Sequence, residues 1–182
     1  DHLDAIAPAI EDISCPIIIT ARHPLEGGAG ELSGPQRSGL LSRFLPLATW
    51  IDVEVRSLTS LSGVIERARE RDIGLIASFH DFQACPSLEI LNRTILDGYC
   101  VEADVIKIAV HLETRDELIG LRSFFVSHPH LKLSLMGMGP LGKESRVELA
   151  RAGSVLNYGY LTEPNAPGQW PAAELKALIA EF

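Results

Sequence analysis

Residues 103–110 are Ala103-Asp104-Val105-Ile106-Lys107-Ile108-Ala109-Val110, an apolar and β-branched run with one lysine in its middle. A run of this kind, bounded by polar segments, predicts a buried parallel strand. Burial disfavours the ammonium form of lysine, so an interior lysine is either paired with a carboxylate or ready to lose its proton and attack a carbonyl. From this strand alone, three roles for Lys107 stay open: snorkelling from a strand end, an ion pair with Asp104, Asp52 or Glu54, or imine formation.

Strand-like and helix-like segments alternate on both sides of this run. Hydrophobic periodicity predicts six strands, at about 16–20, 50–55, 73–79, 104–110, 131–136 and 154–158. Helices are predicted at about 3–13, 33–45, 58–71, 114–127, 145–151 and 171–182, and between Pro86 and about residue 96. This alternation implies parallel strands joined by helical crossovers, and therefore an α/β sheet or barrel.

The positions of the polar residues favour the barrel. The Gly-rich stretch 26–30 begins with an acid and lacks the spacing of the phosphate-binding turn that a doubly wound sheet carries after an early strand. We therefore predict one α/β domain over residues 1–182, TIM-barrel-like and truncated to about six parallel strands with surrounding helices. In such barrels the functional residues lie at the C-terminal ends of successive strands. The residues at or just beyond those ends are Thr20, Arg22, Glu26, His80, Lys107, Met136, Arg146 and Gln169.

Composition excludes several classes of protein. The chain has 182 residues, 46% of them hydrophobic, which suits one domain with a sizeable core. A formal net charge of -8 argues against nucleic-acid and anionic-membrane partners, and no apolar run approaches the roughly twenty residues of a membrane span. The three cysteines, Cys15, Cys85 and Cys100, lack metal-ligand spacing, so no metal site or disulfide framework is expected, and a reducing cytoplasm fits best.

Taken singly, the polar residues also permit structural roles. His80 is compatible with a structural histidine held by Asp81. Arg22 and Arg146 are compatible with surface ion pairs of little energetic worth. Glu26 is compatible with a cap of the helix that follows it.

Together the motifs resemble the type I 3-dehydroquinate dehydratase family, and the resemblance covers nearly the whole chain in order. It implies a lyase that converts 3-dehydroquinate to 3-dehydroshikimate through a Schiff base, without a cofactor. It also implies a cytoplasmic enzyme of the shikimate pathway for aromatic amino acid biosynthesis, with quinate catabolism left open. The matching segments are Ile19-Thr20-Ala21-Arg22, Glu26-Gly27-Gly28, Ile51-Asp52-Val53-Glu54, Ser78-Phe79-His80-Asp81-Phe82, Ala103 to Ala109, Met136-Gly137, Ser145-Arg146 and Ala166-Pro167-Gly168-Gln169.

The resemblance assigns a role to each matching residue. Lys107 is implied to be the nucleophile that forms the Schiff base, and His80 the general acid and base. A protonated imine makes the neighbouring C–H more acidic, so a base of near-neutral pKa suffices. Glu26 matches the carboxylate that orients the histidine. The implied substrate-binding residues are Arg22, Arg146, Gln169, Asn165 in place of a usual serine, and Met136 as an apolar wall.

The chain departs from the family pattern at its start. The family barrel has eight strands, and the first two βα units have no counterpart in this sequence. Six strands do not close with the geometry of eight, and open edges expose unpaired backbone groups. We therefore expect a homodimer in which a second copy covers the gap. Two alternatives stay open: another Schiff-base lyase or aldolase, and a catalytically weak or inactive homologue that binds a related metabolite.

Overall fold

Five parallel strands form one sheet in which the spatial order follows the chain order. The computed structural model describes residues 2–11 and 13–181. An order without reversal is that of a barrel wall, since doubly wound sheets reverse direction at a switch point. The predicted TIM-barrel-like α/β fold is therefore confirmed. The strands are β1 (Ile18–Thr20), β2 (Trp50–Glu54), β3 (Gly74–Asp81), β4 (Val105–His111) and β5 (Leu133–Met138).

Helices follow the strands and cover the sheet. Capping boxes start two of them, with Ser33 and Gln36 at α2 and Thr114 and Glu117 at α5, as expected where backbone N–H groups need acceptors. The helices are α1 (His2–Glu11), α2 (Gly34–Phe44), α3 (Ser62–Arg69), α4 (Leu88–Cys100), α5 (Arg115–Val126), α6 (Gly142–Arg151) and α7 (Ala172–Ala180). Short 3-10 helices occur at Pro24–Glu26, Leu45–Leu47 and Val55–Ser57. No helix of the described residues has the length and apolarity that crossing a membrane requires.

The two faces of the sheet differ in chemistry because side chains alternate along each strand. One face is apolar and packs against the helices; Ile51, Val53, Ile108 and Leu135 belong to its buried clusters. The other face carries a polar row, because the register pairs Glu54 with Ser78, Ser78 with Lys107 and Lys107 with Ser134. All four residues of this row are buried. A buried polar row departs from the apolar pattern of parallel sheets and marks the functional side of the sheet.

Residues 154–158, predicted as a sixth strand, do not form one, so the sheet of the described residues has five strands. Side chains replace the backbone ladder here. The Ser154 hydroxyl accepts the N–H of Leu135 at 3.0 Å, and the Ser134 hydroxyl donates to the carbonyl of Leu156 at 2.7 Å. One backbone bond remains, from Val155 N–H to the carbonyl of Leu133 at 3.0 Å. The segment lies beside β5 without regular pairing.

Candidate active site

One cavity at the C-terminal ends of the strands is lined by every residue to which the resemblance assigns a role. Its volume is about 210 Å³. Thr20, by contrast, lines a separate groove beside β1. A larger cavity of about 520 Å³ lies at the opposite ends of β4 and β5, and its charged residues, Glu102, Asp104 and Lys132, are exposed to solvent. No group of three or more His, Cys, Asp or Glu among the described residues is arranged to hold a metal ion. The predicted residues that line the smaller cavity are Arg22, Glu26, His80, Lys107, Met136, Arg146, Asn165 and Gln169.

Lys107 is the third residue of β4 and lies in the polar row, with 6% of its surface exposed. Its Nζ donates to Asp52 Oδ2 at 2.9 Å and lies 4.5 Å from the centroid of the Tyr158 ring. Burial lowers the pKa of Lys107, and the Asp52 carboxylate opposes that shift. The amine therefore loses its proton more readily than an exposed lysine, as imine formation requires.

Asp52, on β2, anchors the charged groups beneath the cavity. Besides Lys107, it accepts hydrogen bonds from Arg22 Nη1 at 3.0 Å, Arg22 Nη2 at 2.9 Å and the Ser78 hydroxyl at 2.6 Å. Burial alone would raise the pKa of Asp52, but the Lys107 and Arg22 cations outweigh it and hold that pKa well below its usual range. Asp52 is therefore ionised, and both of its oxygens are fully hydrogen-bonded.

A second buried carboxylate fixes the loop after β1. Glu54 Oε1 accepts from Arg22 Nη1 at 3.0 Å and from the backbone N–H of His23 at 2.8 Å. Its other oxygen pairs with Arg37, which also donates to the carbonyl of Ala21 at 2.6 Å. Buried charges need this density of partners to be tolerated. The network sets the position of the loop that carries Arg22 and Glu26.

Glu26 and His80 form a coupled pair. Glu26 Oε2 accepts the backbone N–H of His80 at 2.9 Å and lies 2.9 Å from its Nδ1. Burial, together with neighbouring Glu54, raises the pKa of Glu26 to about 7, against the opposing charge of Arg56. Burial and the Lys107 cation lower the pKa of His80, so its imidazole is neutral near pH 7. With Nδ1 directed to Glu26, Nε2 is the ring nitrogen left to exchange a proton with a substrate.

Gly27 allows Glu26 to lie this close to β3. Its φ of 85° is in the left-handed region, which glycine adopts without strain. A Cβ at this position would lie 2.7 Å from the ring of Phe82. The turn after Glu26 therefore needs glycine both for its conformation and for its packing.

Arg146 is a buried cation without a carboxylate partner among the described residues. It lies on α6 with 3% exposure, and it donates to the carbonyls of Gly168 and Tyr158, each at 3.1 Å. Its Nη1 lies 3.4 Å from the sulfur of Met136. Burial lowers the pKa of Arg146 to about 10, which still leaves it charged at neutral pH. A buried cation of this kind is suited to an anionic ligand.

The loop after residue 160 supplies the remaining predicted residues. Gln169 Oε1 accepts the backbone N–H groups of Asn165 at 2.7 Å and Ala166 at 3.3 Å. Its amide nitrogen is therefore the group left for a ligand. Asn165 is exposed at the rim of the cavity.

Sequence reasoning assigned no site role to Ser78 and Tyr158, and it named Asp52 and Glu54 only as possible ion-pair partners of Lys107. Asp52 and Glu54 carried a signal, because two acids alternate with apolar residues in a predicted buried strand. Ser78 lay within a matching motif, but nothing in the motif assigned a role to its hydroxyl. Tyr158 fell at the end of the predicted sixth strand, and its contact with Lys107 depends on a tertiary fold that periodicity does not show.

The fold and the cavity define an enzyme of the (β/α)-barrel class, with ionisable groups gathered at the C-terminal ends of parallel strands. The family model for type I 3-dehydroquinase matches residues 1–181. The chain belongs to the type I 3-dehydroquinase family. This family and the relatives below are 3-dehydroquinate dehydratases, which are lyases, so the predicted family and enzyme class are confirmed.

Relatives match over most of the chain. It is 34% identical over 178 residues to the 3-dehydroquinate dehydratase of Methanothermobacter thermautotrophicus, covering 97% of this chain and 77% of that protein. The enzyme of Methanocella arvoryzae is 33% identical over 162 residues, covering 87% of this chain and 71% of its own length.

Solved structures of the family match the fold. The Aquifex aeolicus 3-dehydroquinate dehydratase is 29% identical, with a TM-score of 0.85, and the match covers 99% of this chain and 81% of that one. The Clostridium difficile type I enzyme, solved with covalently modified comenic acid, is 26% identical with a TM-score of 0.85, covering 98% and 72%.

Proposed function

We propose that the chain dehydrates 3-dehydroquinate to 3-dehydroshikimate through a Schiff base on Lys107, with His80 as general acid and base. The observation that carries this proposal is one cavity that holds a buried lysine, a neutral histidine and an arginine that pairs with no carboxylate of the described residues. Family membership supports the same reaction.

Lys107 performs the first step. Lys107 gives up its proton, and the neutral amine attacks the ketone carbon of the substrate to form a carbinolamine. The carbinolamine takes up one proton as it loses water, which gives a protonated imine. The new cation lies where the ammonium lay, so Asp52 Oδ2, now 2.9 Å from Nζ, serves as its counterion. Burial supplies the neutral amine, and Asp52 stabilises the charged intermediate.

His80 moves the protons of the second step. Nε2 takes a proton from the carbon next to the imine, and the electron pair forms an enamine. The enamine expels the β-hydroxyl, which leaves as water with the proton that His80 now returns. Hydrolysis of the imine releases the product and restores Lys107, so the net change is loss of one water. Glu26, 2.9 Å from Nδ1, orients the ring throughout.

The remaining residues are proposed to hold the substrate. Arg146 binds its carboxylate, since no carboxylate of the described residues pairs with this guanidinium. Arg22, Gln169 and Asn165 contact hydroxyl groups, and Met136 forms an apolar wall.

Trapping the imine tests the proposal. The protein is incubated with 3-dehydroquinate and borohydride and weighed by mass spectrometry, with Lys107→Ala as the control. With borohydride, we expect an adduct on the native chain and none on the variant. Without borohydride, we expect the absorbance of the enone product to appear, also in the presence of a chelator. Absence of an adduct would exclude the imine mechanism. An adduct without enone would instead support a different Schiff-base lyase or a weak homologue.

We also propose that the chain forms a homodimer along the β1 edge. Among the described residues β1 has a neighbour on one side only, and Ile18 is 38% exposed. A groove of about 500 Å³ beside it is lined mainly by apolar side chains of α1, β1 and α2. Such an edge favours pairing with another chain. Light scattering at micromolar concentration should show a dimer that Ile18→Lys weakens; a native monomer would contradict the proposal.

The metabolic setting is proposed to be the shikimate pathway in a reducing cytoplasm. The support is family membership and three free cysteines, of which Cys15 and Cys100 are exposed. The gene should restore growth without aromatic amino acids to a strain lacking 3-dehydroquinate dehydratase. An active protein that fails to do so, or one found outside the cytoplasmic fraction, would contradict this setting.

A further inference from the structure

We propose that Arg56, which does not line the cavity, is a positioning residue for the reaction: its guanidinium keeps Glu26 ionised and thereby keeps His80 ready to accept a proton. The inference rests on the proposed function, since it assigns a role to His80 as base. Arg56 acts on substrate only through Glu26.

The contact is direct and lies on the outer side of Glu26. Arg56, in the 3-10 helix after β2, has its Nε 3.0 Å from Glu26 Oε1. The other oxygen, Oε2, faces His80 at 2.9 Å. The two oxygens of one carboxylate therefore join a residue outside the active-site cavity to the proposed base inside it. Oε1 is buried and has no hydrogen bond of good geometry from any described residue, so the Arg56 charge is its main compensation.

Charged or titratable groups face Glu26 from the loop after β1, from β2 and β3, and from the 3-10 helix after β2. Arg22 faces Glu26 from the loop after β1, but its hydrogen bonds go to Asp52, Glu54 and Ser78, and its Nη1 lies 3.4 Å from His80 Nδ1. Glu54, on β2, repels the carboxylate. From β3 the only ionisable partner is His80 itself. Arg56 is thus the one cation in the described chain whose ion pair is with Glu26 alone.

Helix α4 adds charges on the outer side. Glu26 and Arg56 also line a separate cavity of about 350 Å³, together with Glu89, Arg93 and Asp97 of this helix. Arg93 pairs with Asp97 at 2.9 Å and makes no ion pair with Glu26. It is therefore a matched control: an arginine of the same cavity that lacks the contact.

The chemistry explains why this ion pair matters to the reaction. When Glu26 is ionised, it accepts a hydrogen bond from Nδ1–H and raises the basicity of Nε2. When Glu26 is protonated, its effect on the imidazole is lost. Burial and Glu54 both favour the protonated form, so removing Arg56 leaves only the backbone N–H of His80 and the more distant charge of Arg22 to oppose them. The Arg56 side chain is 42% exposed, so its effect should also weaken as salt screens it.

The pH dependence of kcat/KM for 3-dehydroquinate tests the inference in native, Arg56→Gln, Arg56→Lys and Arg93→Gln proteins. In Arg56→Gln we expect the acid limb to move upward by about one pH unit, with an unchanged plateau at high pH. Arg56→Lys should restore most of the native limb, and Arg93→Gln should not move it. Raising the salt concentration should move the native limb upward and leave that of Arg56→Gln in place.

Two outcomes would overturn the inference. One is an Arg56→Gln limb that coincides with the native limb. The other is a uniform loss of activity at every pH, which would indicate a purely structural role. Both differ from failure of the proposed function, in which the native protein itself forms no borohydride adduct on Lys107.

Discussion

Lys107 on β4 and Asp52 on β2 meet across the strand between them, with 2.9 Å from Nζ to Oδ2. Ser78, on β3, makes this possible because its small side chain occupies the row between them and donates to Asp52 Oδ1 at 2.6 Å. Arg22 binds the same carboxylate through both terminal nitrogens. The ion pair meets two opposite requirements. Asp52 provides the counterion that a buried ammonium needs, and burial helps the amine to lose the proton that it must lose before it attacks.

Loss of the Asp52 charge should destabilise the protein. Asp52→Asn leaves Lys107 and Arg22 buried with one anion fewer, and removal of one partner from a buried charge pair costs about 3–5 kcal/mol. Urea unfolding at neutral pH measures this cost. The double variant Asp52→Asn/Lys107→Met should recover part of it, because the uncompensated ammonium is gone. A single variant within about 0.5 kcal/mol of native would show that the ion pair contributes nothing.

The strands of the sheet could be predicted from the sequence, because β2 to β5 are apolar on the side that faces the helices. Hydrophobic periodicity detects that side directly. Lys107 could be recognised as a candidate site residue for the same reason, since a lysine is unusual in a buried apolar strand. The sixth strand failed because periodicity does not show that Ser134 and Ser154 take backbone partners with their side chains. Those contacts exist only once the two segments lie side by side.

The sequence predicts which residues belong to the site, but it does not predict the ion pairs and hydrogen bonds among them. Motif order supplied the residues that line the cavity, such as Glu26, His80 and Arg146. The charge balance beneath them was not predictable, because it depends on which carboxylate each cation reaches. Lys107 had three candidate partners in the sequence, and only the register of β2, β3 and β4 selects Asp52. Asp104 instead binds the backbone N–H of Leu75 at 2.8 Å.

Stability should fall as Glu26 ionises. The pKa of Glu26 is raised from 4.5 to about 7 on folding, so the folded protein holds this proton more tightly than the unfolded chain. Its contribution to stability is complete below pH 4.5 and is lost as the pH rises through about 7. The reaction runs in the opposite sense, because kcat/KM should rise over the same interval as Glu26 becomes a carboxylate.

Glu26→Gln separates these effects. The amide does not titrate, so the variant should lose this decline of stability with pH and also the acid limb of kcat/KM. Thermal melts and steady-state rates between pH 5 and 9 provide the measurements. If the native acid limb persists unchanged in Glu26→Gln, another group controls it.

Removal of the Tyr158 hydroxyl should stabilise the substrate-free protein. The phenolic oxygen is buried and no described residue bonds to it, while its ring lies under Lys107 Nζ. An unsatisfied buried hydroxyl costs about 1–3 kcal/mol. Tyr158→Phe keeps the ring and should raise the melting temperature by about 2–12 °C. Tyr160→Phe is the control, because the Tyr160 hydroxyl is not a buried group without a hydrogen-bond partner. A lower melting temperature for Tyr158→Phe would show that the hydroxyl is satisfied in solution.

Arg146 should govern affinity for an anionic substrate. Arg146→Gln keeps a donor for the carbonyls of Gly168 and Tyr158 but removes the positive charge. Because charge-assisted bonds to a carboxylate are worth about 1.5–3 kcal/mol each, we expect KM to rise by at least about tenfold, with a smaller effect on kcat. Arg151→Gln, on the same helix and outside the cavity, should leave KM unchanged. An equal KM for both variants would remove Arg146 from the binding site, since a cation that meets a substrate carboxylate must affect its affinity.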